Sequence, residues 1–526
     1  MSLFHERALP DLSNNIKCGN SLIGDEFYDG QQMGLLGQDE LYRVNPFNWQ
    51  NQFPEIMQSG GFDVIIGNPP YVRIQALKEW APIEVDFYKK RYASAEKGNY
   101  DIYVVFVERA LSLLNKRGLF GFILPNKFFN AKYGEGLRRI LASGKHLSRV
   151  VHFGDQQVFD SASTYTCLLF LDKAARDQIE FIKVNDLVGW RTTGEAATGE
   201  LSADELNASE WSFVVGEGAE LLKKLNKMPV KLQDVTSRIF QGIKTSADKI
   251  YIVEEIERES NRVKVYSREK EAEYWLESAL LHPLIKGGDS RRYHLSRTKR
   301  LILFPYARQD PGSSTLIPEP TMKTEFPLSW TYLMENKPYL ENRERGKMRG
   351  ENWYGYGRAQ ALDVMPLPKI FTPDIAQNAS FSLDETGEVF FTGGVAGGYG
   401  VLVLPEYSRE YILALLNSKL LDWFVRQTAT QMRGGYFSFE SRFIRNLPIH
   451  CINFDDPDEI SHHDHLVEHV NRMLISNKQL LQAKDAQDKI FLQRQIDATD
   501  QQIDHLVFEL YGLNDEEIRI VDAKAN

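Results

Sequence analysis

Apolar residues follow two different periods along the first 175 residues of the chain. Short, almost wholly apolar runs predict strands that are buried on both faces. These runs are residues 62–67, 119–124, 148–153 and 164–171. Over residues 100–115 and 134–143, apolar side chains instead recur every three to four positions, as on one face of a helix. Strands that alternate with helices predict an α/β fold with a largely parallel sheet.

Beyond this first region the pattern changes. Residues 176–228 show little periodicity and predict a connector. Residues 229–450 contain short β-rich segments, broken by Gly and Pro, and one helical stretch at 408–426, which predicts a separate mixed α/β domain. Residues 451–526 are helical, and their apolar stripe lapses around 482–489. A helical hairpin fits that lapse better than one long coiled coil.

Composition narrows the class of protein. The 526 residues are 43% hydrophobic and 25% charged, which is ordinary for a globular protein and excludes a fibrous or wholly disordered chain. No run of about 18 apolar residues predicts a membrane span, and the first residues lack a signal-peptide pattern. The three cysteines, Cys18, Cys167 and Cys451, form no CxxC pair, so we expect neither a disulfide framework nor a metal site. We therefore expect a cytoplasmic protein.

The net charge of −10 argues, taken alone, against a nucleic-acid partner. The charge is unevenly distributed, however. Residues 281–360 carry 14 basic and 8 acidic residues, whereas residues 451–526 carry 7 basic and 16 acidic ones. The basic stretch is therefore able to meet phosphates. A solvated charged face explains the same composition, and composition does not decide between the two.

The segment Asn68-Pro69-Pro70-Tyr71 directly follows the predicted strand 62–67. Residues just past the carboxyl end of a strand line the ligand crevice of an α/β sheet. The Asn68 side chain and the Pro69 carbonyl are two acceptors, held close together by a rigid turn, that suit both hydrogens of a planar NH2 group. Tyr71 offers a flat face on which a base can stack. The alternative is an ordinary turn after a strand, but the order strand, NPPY, helix and LFGFILP favours the chemical interpretation.

Three segments of the first region resemble motifs IV, V, VI and VIII of DNA adenine methyltransferases. They are FDVIIGNPPYVR, GNYDIYVVFVERALSLLNKRGLFGFILPNKFF and HFGDQQVFDSASTYTCLLFLD. The order is that of the gamma-ordered, TaqI-like methylases and of type IIG restriction–modification enzymes. Later segments, among them RIFQGIKTSADKIYIV, PKIFTPDIA and GGYFSFESRFIRNLPI, resemble their target-recognition domain. The resemblance covers about residues 10–520 and implies a Rossmann-like methyltransferase sheet over 1–175, a connector, a recognition domain over 229–450 and an acidic helical tail.

The resemblance also implies roles for individual residues. Asn68 and the Pro69 carbonyl hold the exocyclic amine of a flipped adenine, Pro70 keeps the turn rigid, and Tyr71 stacks on the base. Phe159 occupies the place of a second aromatic residue against the adenine, although a core Phe before a loop explains it equally well. The implied methyl donor is S-adenosylmethionine, and the implied partner is double-stranded DNA.

Two donor-binding motifs of that family are absent from this sequence: the glycine-rich loop after strand one and the acidic residue after strand two. Asn20, in GNSL, resembles the end of strand three and is a candidate donor contact, with a simple polar turn as its alternative. Without strands one and two, the strand 62–67 has an unpaired apolar edge. We therefore expect a donor-binding segment or subunit as a further partner. An inactive DNA-recognition fragment that needs such a subunit, and a methyltransferase for RNA or protein amides, remain alternative hypotheses.

The recognition region supplies the candidate DNA contacts, each with surface or packing roles as its alternative. Phosphate candidates are basic residues of the stretch 281–360, and base-edge candidates are long polar side chains. By analogy they are Gln241, Lys244, Arg291, Arg292, Arg345, Lys347, Arg358 and Gln360. The glycine-rich stretch 391–400 lacks the strand–loop–helix context of a donor site, and we interpret it as a loop between strands.

Overall fold

The computed structural model describes residues 12, 14–28, 42–159, 164–211, 213–296, 298–309 and 313–523. The chain forms two compact units, Met1–Glu217 and Gly218–Asn526. Within the described residues, no helix is long and apolar enough to cross a membrane. The same residues contain no group of three or more His, Cys, Asp or Glu side chains placed to hold a metal ion.

In the first unit, the described residues form one sheet with the strand order β1-β2-β4-β3-β5-β6. Its strands are β1 (Phe62–Gly67), β2 (Leu114–Pro125), β3 (Leu147–His152), β4 (Thr166–Asp172), β5 (Gln178–Lys183) and β6 (Ala197–Ser202). The neighbours β1/β2 and β3/β5 are parallel, whereas β4 is antiparallel to both β2 and β3, and β6 is antiparallel to β5. The α/β fold is as predicted, but the expectation of a largely parallel sheet is wrong, because β4 and β6 run against their neighbours.

The strand β1 is an edge strand among the described residues, since it pairs with β2 alone. Val64 is 58% exposed and Ile66 is 80% exposed, while Ile65 packs on the core. The sequence interpretation of 62–67 as a strand buried on both faces is therefore wrong for this chain by itself. The expected unpaired apolar edge is present instead.

The helices of the first unit contribute to two apolar clusters: most lie in the main core with Val150 and Phe181, whereas Leu187 of the helix Leu187–Thr193 packs with Val151 on the other face of the sheet. Their bounds are Trp49–Gln52, Pro54–Gln58, Ile74–Trp80, Pro82–Arg91, Tyr103–Leu113, Glu135–Ser143 and Leu187–Thr193. The helix Tyr103–Leu113 buries Val105, Ala110 and Leu113, as its sequence period predicts. It also buries Val104, Val107 and Leu111, which lie outside the predicted face. This helix ends at Leu113, because Leu114 adopts an extended backbone conformation and begins β2. The stretch 176–228, expected to be a connector, contributes β5 and β6 to the sheet.

In the second unit, short strands dominate, as the broken pattern of the sequence predicts. Their bounds are β7 (Thr236–Gln241), β8 (Ile252–Arg258), β9 (Arg262–Ser267), β10 (Ala272–Glu277), β11 (Leu281–Ile285), β12 (Ser290–Arg291), β13 (His294–Leu295), β14 (Arg300–Leu303), β15 (Tyr306–Gln309), β16 (Ser313–Leu316), β17 (Lys369–Pro373), β18 (Ile375–Ala376), β19 (Ser382–Asp384), β20 (Phe390–Phe391), β21 (Gly398–Val403), β22 (Gln431–Met432) and β23 (Tyr436–Ser438). The sheet β19-β17-β21-β7 carries the polar segments described below. Residues 392–397 form a loop between β20 and β21, as interpreted from the sequence.

The helices of the second unit lie between and after these strands. Their bounds are Ala219–Asn226, Asp248–Tyr251, Glu319–Glu325, Pro327–Glu335, Lys337–Glu341, Arg343–Gly346, Arg409–Asn417, Lys419–Thr428, Ser441–Ile444, Pro457–Gln482, Ala486–Leu510 and Asp515–Ala523. The single helix predicted at 408–426 is two helices, because Ser418 leaves the helical conformation and its side chain caps the second one. The predicted hairpin of the acidic tail is present as Pro457–Gln482 and Ala486–Leu510.

Candidate active site and nucleic-acid interface

The candidate base-binding residues lie at one edge of the first sheet. Because β4 is antiparallel to both β2 and β3, the strands β1, β2 and β3 all run in the same direction. Their carboxyl ends therefore meet at the same edge of the sheet. Asn68 follows β1, Asn126 follows β2, and the loop 153–159 follows β3. The sequence prediction that Asn68-Pro69-Pro70-Tyr71 occupies the end of a strand is correct in its placement.

Within the NPPY segment, the residues that supply the two acceptors differ in exposure: Asn68 is exposed and Pro69 is buried. The Tyr71 hydroxyl donates a hydrogen bond to the Ile123 carbonyl on β2 at 3.1 Å. Burial raises the pKa of Tyr71 to about 12, so this hydroxyl stays protonated and keeps its hydrogen bond at neutral pH. Tyr71 is half-buried, and its ring is held against the sheet rather than free in solvent.

Sequence reasoning missed a polar pair at the same edge. The Asn126 side-chain amide lies 2.9 Å from His152 Nε2, and the Gly154 backbone N–H donates to His152 Nδ1 at 3.0 Å. Burial, with a smaller contribution from Lys183, lowers the pKa of His152 to about 4. His152 is therefore neutral at physiological pH. The available signal was Asn126 itself, a polar residue directly after an apolar strand that Pro125 ends.

Phe159 lies in the loop after β3 and is half-buried. The Gln157 side-chain amide donates to the Phe159 carbonyl at 2.9 Å, which fixes the backbone at this residue. Phe159 is thus at the edge that carries Asn68 and Tyr71. Its role against a base stays a prediction.

Asn20 is engaged in its own turn. Its side-chain oxygen accepts from the Leu22 backbone N–H at 3.2 Å, and its amide donates to the Tyr88 hydroxyl at 3.4 Å. Both ends of the side chain are therefore used by the protein. The polar-turn interpretation accounts for this geometry, and a donor contact for Asn20 stays a prediction.

In the second unit, four of the predicted base-edge and phosphate residues lie on adjoining segments. Lys244 and Arg358 face each other across a backbone bridge, in which the Arg358 N–H donates to the Lys244 carbonyl at 3.3 Å. The Gln360 side chain donates to the Gly242 carbonyl at 2.7 Å, and the Gln241 side chain donates to the Tyr399 hydroxyl at 3.4 Å. We call these four residues, Gln241, Lys244, Arg358 and Gln360, the polar cluster.

The glycine-rich loop 392–397 lies directly beside the polar cluster. The Gly242 N–H donates to the Gly398 carbonyl, and the Gly393 N–H donates to the Ile243 carbonyl. A Cβ at Gly242 lies 2.4 Å from the Thr392 carbonyl group, so only glycine permits this approach. Asp374, which follows β17, adjoins the loop because its N–H donates to the Gly397 carbonyl. Burial, reinforced by Glu440, raises the pKa of the Asp374 carboxyl to about 6.

The basic stretch 281–360 divides into exposed and structural residues. Arg345 and Lys347 are exposed, and their segment adjoins the polar cluster through a hydrogen bond from the Ser246 hydroxyl to Glu344 at 3.1 Å. Arg343, in contrast, is buried and donates to the carbonyls of Leu340, Thr245, Trp353 and Gly355. It holds the segments around it together and is not placed for a phosphate.

Arg291 and Arg292 occupy different environments. Arg291 is exposed, and its guanidinium donates to the carbonyls of Gly288 and Ser290, both at 2.8 Å. The Arg292 guanidinium lies 2.9 Å from the Asp500 carboxylate and 3.6 Å from that of Asp504, both on the helix Ala486–Leu510. This ion pair joins the hairpin of the acidic tail to the strands of the same unit. Arg292 is therefore withdrawn from the phosphate contacts, because its charge is already compensated by two carboxylates.

Comparison with known proteins assigns these regions to described families. Residues 4–159 match the Eco57I restriction-modification methylase family, and residues 282–449 match the TaqI-like C-terminal specificity domain. The chain is 31% identical over 525 residues to the type II restriction enzyme and methyltransferase RM.Eco57I of Escherichia coli, covering 96% of this chain and 50% of that protein. It is 22% identical over 496 residues to the type II methyltransferase M.BstVI of Geobacillus stearothermophilus, covering 90% and 77%.

Among solved structures, the chain resembles the type IIL restriction-modification enzyme MmeI, determined in complex with DNA. The TM-score is 0.57 at 12% identity, and the match covers 91% of this chain and 58% of that one. At this identity the likeness concerns the fold alone. The chain spans about half the length of RM.Eco57I and somewhat more than half of the MmeI chain.

The fold and the two matched regions define a restriction–modification methylase region followed by a specificity domain. The chain carries an Eco57I-type methylase region and a TaqI-like specificity domain, and both relatives reported above are type II methyltransferases, one of them also a restriction enzyme. The resemblance inferred from the sequence is thereby confirmed.

Proposed function

We propose that this chain carries the base-binding and recognition parts of a site-specific DNA methyltransferase in a restriction–modification or phage-defence system. Its substrate in this proposal is the exocyclic amine of an adenine rotated out of double-stranded DNA, and its methyl donor is S-adenosylmethionine. The observation that carries the proposal is the position of Asn68-Pro69-Pro70-Tyr71 at the carboxyl end of β1, beside the ends of β2 and β3.

The chemistry follows from the two acceptors. The Asn68 side-chain oxygen and the Pro69 carbonyl are hydrogen-bond acceptors that suit the two hydrogens of a planar NH2 group. Accepting both hydrogens draws the nitrogen lone pair away from the ring, which makes the amine a better nucleophile. Tyr71, and in this proposal Phe159, stack on the flipped base and offset the cost of unstacking it, at about 1–3 kcal/mol per stacked base.

In this proposal, residues from outside the described part of the chain complete the cradle for S-adenosylmethionine. Both ends of the Asn20 side chain are engaged within the chain, and a donor cradle would need further hydrogen-bonding groups. An open, mostly apolar cleft of about 370 Å³ runs along β1 and is lined by Trp49, Val64 and Phe106, among others. Exposed apolar edges favour pairing with another strand. We therefore propose that a donor-binding segment or subunit pairs with the free edge of β1.

The role of Asn68 is tested by the variant Asn68→Ala. We expect methylation of genomic DNA to fall by about 10²- to 10³-fold, the loss typical of one preorganised hydrogen-bonding group in an active site. DNA binding stays nearly unchanged, because Asn68 is exposed at the sheet edge and supports no other residue in the described structure. Methylated adenine is quantified by mass spectrometry after incubation with S-adenosylmethionine, with the donor-binding subunit supplied where the chain alone is inactive.

The matched control is Asn115→Ala. Asn115 is also an asparagine of this sheet, but it is half-buried and bonds Asp63 at the opposite end of β1. We expect full activity from that variant. Wild-type activity in Asn68→Ala contradicts the proposed mechanism. Calorimetric titration of S-adenosylmethionine into the chain alone separates the hypotheses further, since tight binding without a partner contradicts the proposed donor-binding subunit.

A further inference from the structure

The pair Asn126–His152 has no part in the chemistry assigned to the NPPY segment, although it lies at the same edge. Asn126 follows β2, the strand that pairs directly with β1. His152 ends β3, and its neighbour across the ladder, Cys167, also faces Leu124 on β2. The pair therefore ties the ends of β2 and β3 together across β4.

The proton count of the imidazole fixes the orientation of the Asn126 amide. A neutral histidine has one N–H and one acceptor nitrogen. Because the Gly154 N–H donates to Nδ1, Nδ1 is the acceptor and Nε2 carries the proton. The structure places the Asn126 Nδ2 atom 2.9 Å from Nε2. Two N–H groups cannot form a hydrogen bond with each other, so the consistent orientation of the amide is the rotated one, with its oxygen toward Nε2. The Asn126 NH2 group faces away from the ring as a donor.

The packing around His152 holds this tautomer in place. The ring lies between Phe129 and Phe181, with centroid distances of 6.3 and 5.9 Å. Lys183, opposite His152 on β5, adds a positive charge that disfavours a second proton on the ring. If the ring were protonated, the N–H at Nδ1 would face the Gly154 N–H, and the two donors would repel each other. The donor orientation of Asn126 is therefore stable at neutral pH.

We infer that Asn126 is a further base-contacting residue, whose NH2 group donates a hydrogen bond to a ring nitrogen of the flipped adenine, and that His152 is its positioning residue. The inference rests on the proposed function. Adenine offers ring-nitrogen acceptors at N1, N3 and N7, whereas its exocyclic amine is a donor and is already assigned to Asn68 and Pro69. A donor beside those two acceptors completes a site that matches adenine by hydrogen-bond type.

The test combines protein variants with base analogues. Target duplexes carry adenine, 1-deazaadenine, 3-deazaadenine or 7-deazaadenine at the methylated position, and their binding to the full chain is measured by fluorescence anisotropy. We expect the wild-type chain to bind one of the three analogues about 10-fold more weakly than adenine. We expect Asn126→Ala to bind that analogue and adenine equally, because the donor is absent.

Three further variants separate contact from packing. Asn126→Asp keeps the bond to His152 Nε2 but replaces the outward donor by an acceptor, so we expect it to lose the discrimination while its melting temperature stays close to that of the wild type. His152→Phe keeps an aromatic ring between Phe129 and Phe181 and loses the N–H, and it loses the discrimination too. His152→Gln supplies an amide N–H and restores part of it.

The outcomes are distinct. If the wild-type chain binds all three analogues as it binds adenine, or if Asn126→Ala still discriminates, the assignment of Asn126 is overturned. If His152→Phe discriminates as the wild type does, its positioning role is overturned. A wild-type chain that neither binds nor methylates duplex DNA contradicts the proposed function itself, which is a different result.

Discussion

The strands β1 and β17 have the same kind of sequence and opposite surroundings. Both are short apolar runs followed by a proline and a polar residue, in FDVIIGNPP and KIFTPD. β17 is central, pairs with β19 on one side and β21 on the other, and is buried at every position. β1 pairs with β2 alone and exposes Val64 and Ile66. An apolar run thus predicts a strand, but it does not record whether both faces and both edges of that strand are covered.

The comparison shows which unit supplies the neighbours of its apolar strand from its own described residues. The second unit supplies both neighbours of β17 from its own residues, and Phe371 of β17 lies in the apolar core of this unit. The first unit supplies only one neighbour of β1 from its described residues. Since exposed apolar edges are normally paired or covered, the proposed donor-binding subunit pairs with β1, whereas β17 already has both neighbours. Four changes test this contrast, in order of expected effect.

The largest effect is expected from truncating the central strand. Phe371 in β17 is 1% exposed and lies with its ring centroid 4.7 Å from that of Phe391. Phe371→Ala removes this packing and leaves a cavity, so we expect the free energy of unfolding of the second unit to fall by about 3–5 kcal/mol. Denaturant unfolding followed by circular dichroism measures it.

The matched control on the edge strand is Ile66→Ala. Ile66 is 80% exposed, and its truncation removes little buried area. We expect a change within about 0.5 kcal/mol. Equal losses from the two truncations contradict the contrast between a central and an edge strand.

The second effect concerns the polar residue after β17. Burial raises the pKa of Asp374 from 3.8 to about 6, so the folded state binds the proton more tightly than the unfolded state does. Its contribution to stability is fully present below pH 3.8 and is lost as the pH rises through 6. Asp374→Asn has no such titration. Relative to the wild type we expect the variant to gain stability between pH 4 and 6, by up to about 3 kcal/mol.

The measurement is the difference in unfolding free energy between Asp374→Asn and the wild type, at several pH values from 4 to 7. Asp363→Asn is the control, because Asp363 is an exposed carboxylate that pairs with Arg238 at 2.7 Å. A difference that does not grow with pH shows that the Asp374 carboxyl titrates normally.

The third effect separates the edge from the core of the first unit. Ile66→Lys places a charge on the free edge of β1, where lysine discourages strand pairing. We expect the stability of the chain itself to change little, whereas its dissociation constant for the proposed donor-binding subunit rises at least about 10-fold. Analytical ultracentrifugation of the mixture measures the association. Unchanged association means that the subunit does not dock at β1.

The sequence predicts the bounds of the strands and helices better than it predicts which elements lie next to each other. The strands and the helix around residues 62–172 are close to their predicted bounds, because each is marked by its own period. The break at Ser418 was missed because its apolar stripe continues through the helix boundary, and only the cap from Ser418 to the Leu421 N–H reveals it. The direction of β4 depends on how its connection crosses the sheet, which no local pattern records.

The residues of the candidate site also divide into those that the sequence reveals and those that only the fold reveals. The NPPY segment was recognisable because the two acceptors and the ring are consecutive in sequence. The Asn126–His152 pair was not, because its partners are 26 residues apart and meet only across β4. Arg292 resembles a phosphate contact in sequence, and only the fold brings Asp500 and Asp504 to it from about 200 residues away. Which charged side chains pair with each other over such sequence distances depends on how the elements pack in the fold.

The smallest effect is expected on the polar cluster of the second unit, where Lys244 is a predicted DNA contact. Lys244 makes no ion pair in the described structure, and its backbone, not its side chain, forms the bridge to Arg358. If its ammonium contacts a DNA phosphate, Lys244→Ala weakens binding equally for all sequences and lowers the slope of log K against log salt by about one. Lys323→Ala is the control, because Lys323 already pairs with Glu319 at 2.6 Å. Anisotropy titrations between 50 and 200 mM salt measure both slopes. If the slope of log K against log salt is the same in Lys244→Ala as in the wild type, Lys244 does not contact a DNA phosphate. The basic surface around it then contributes to solubility alone.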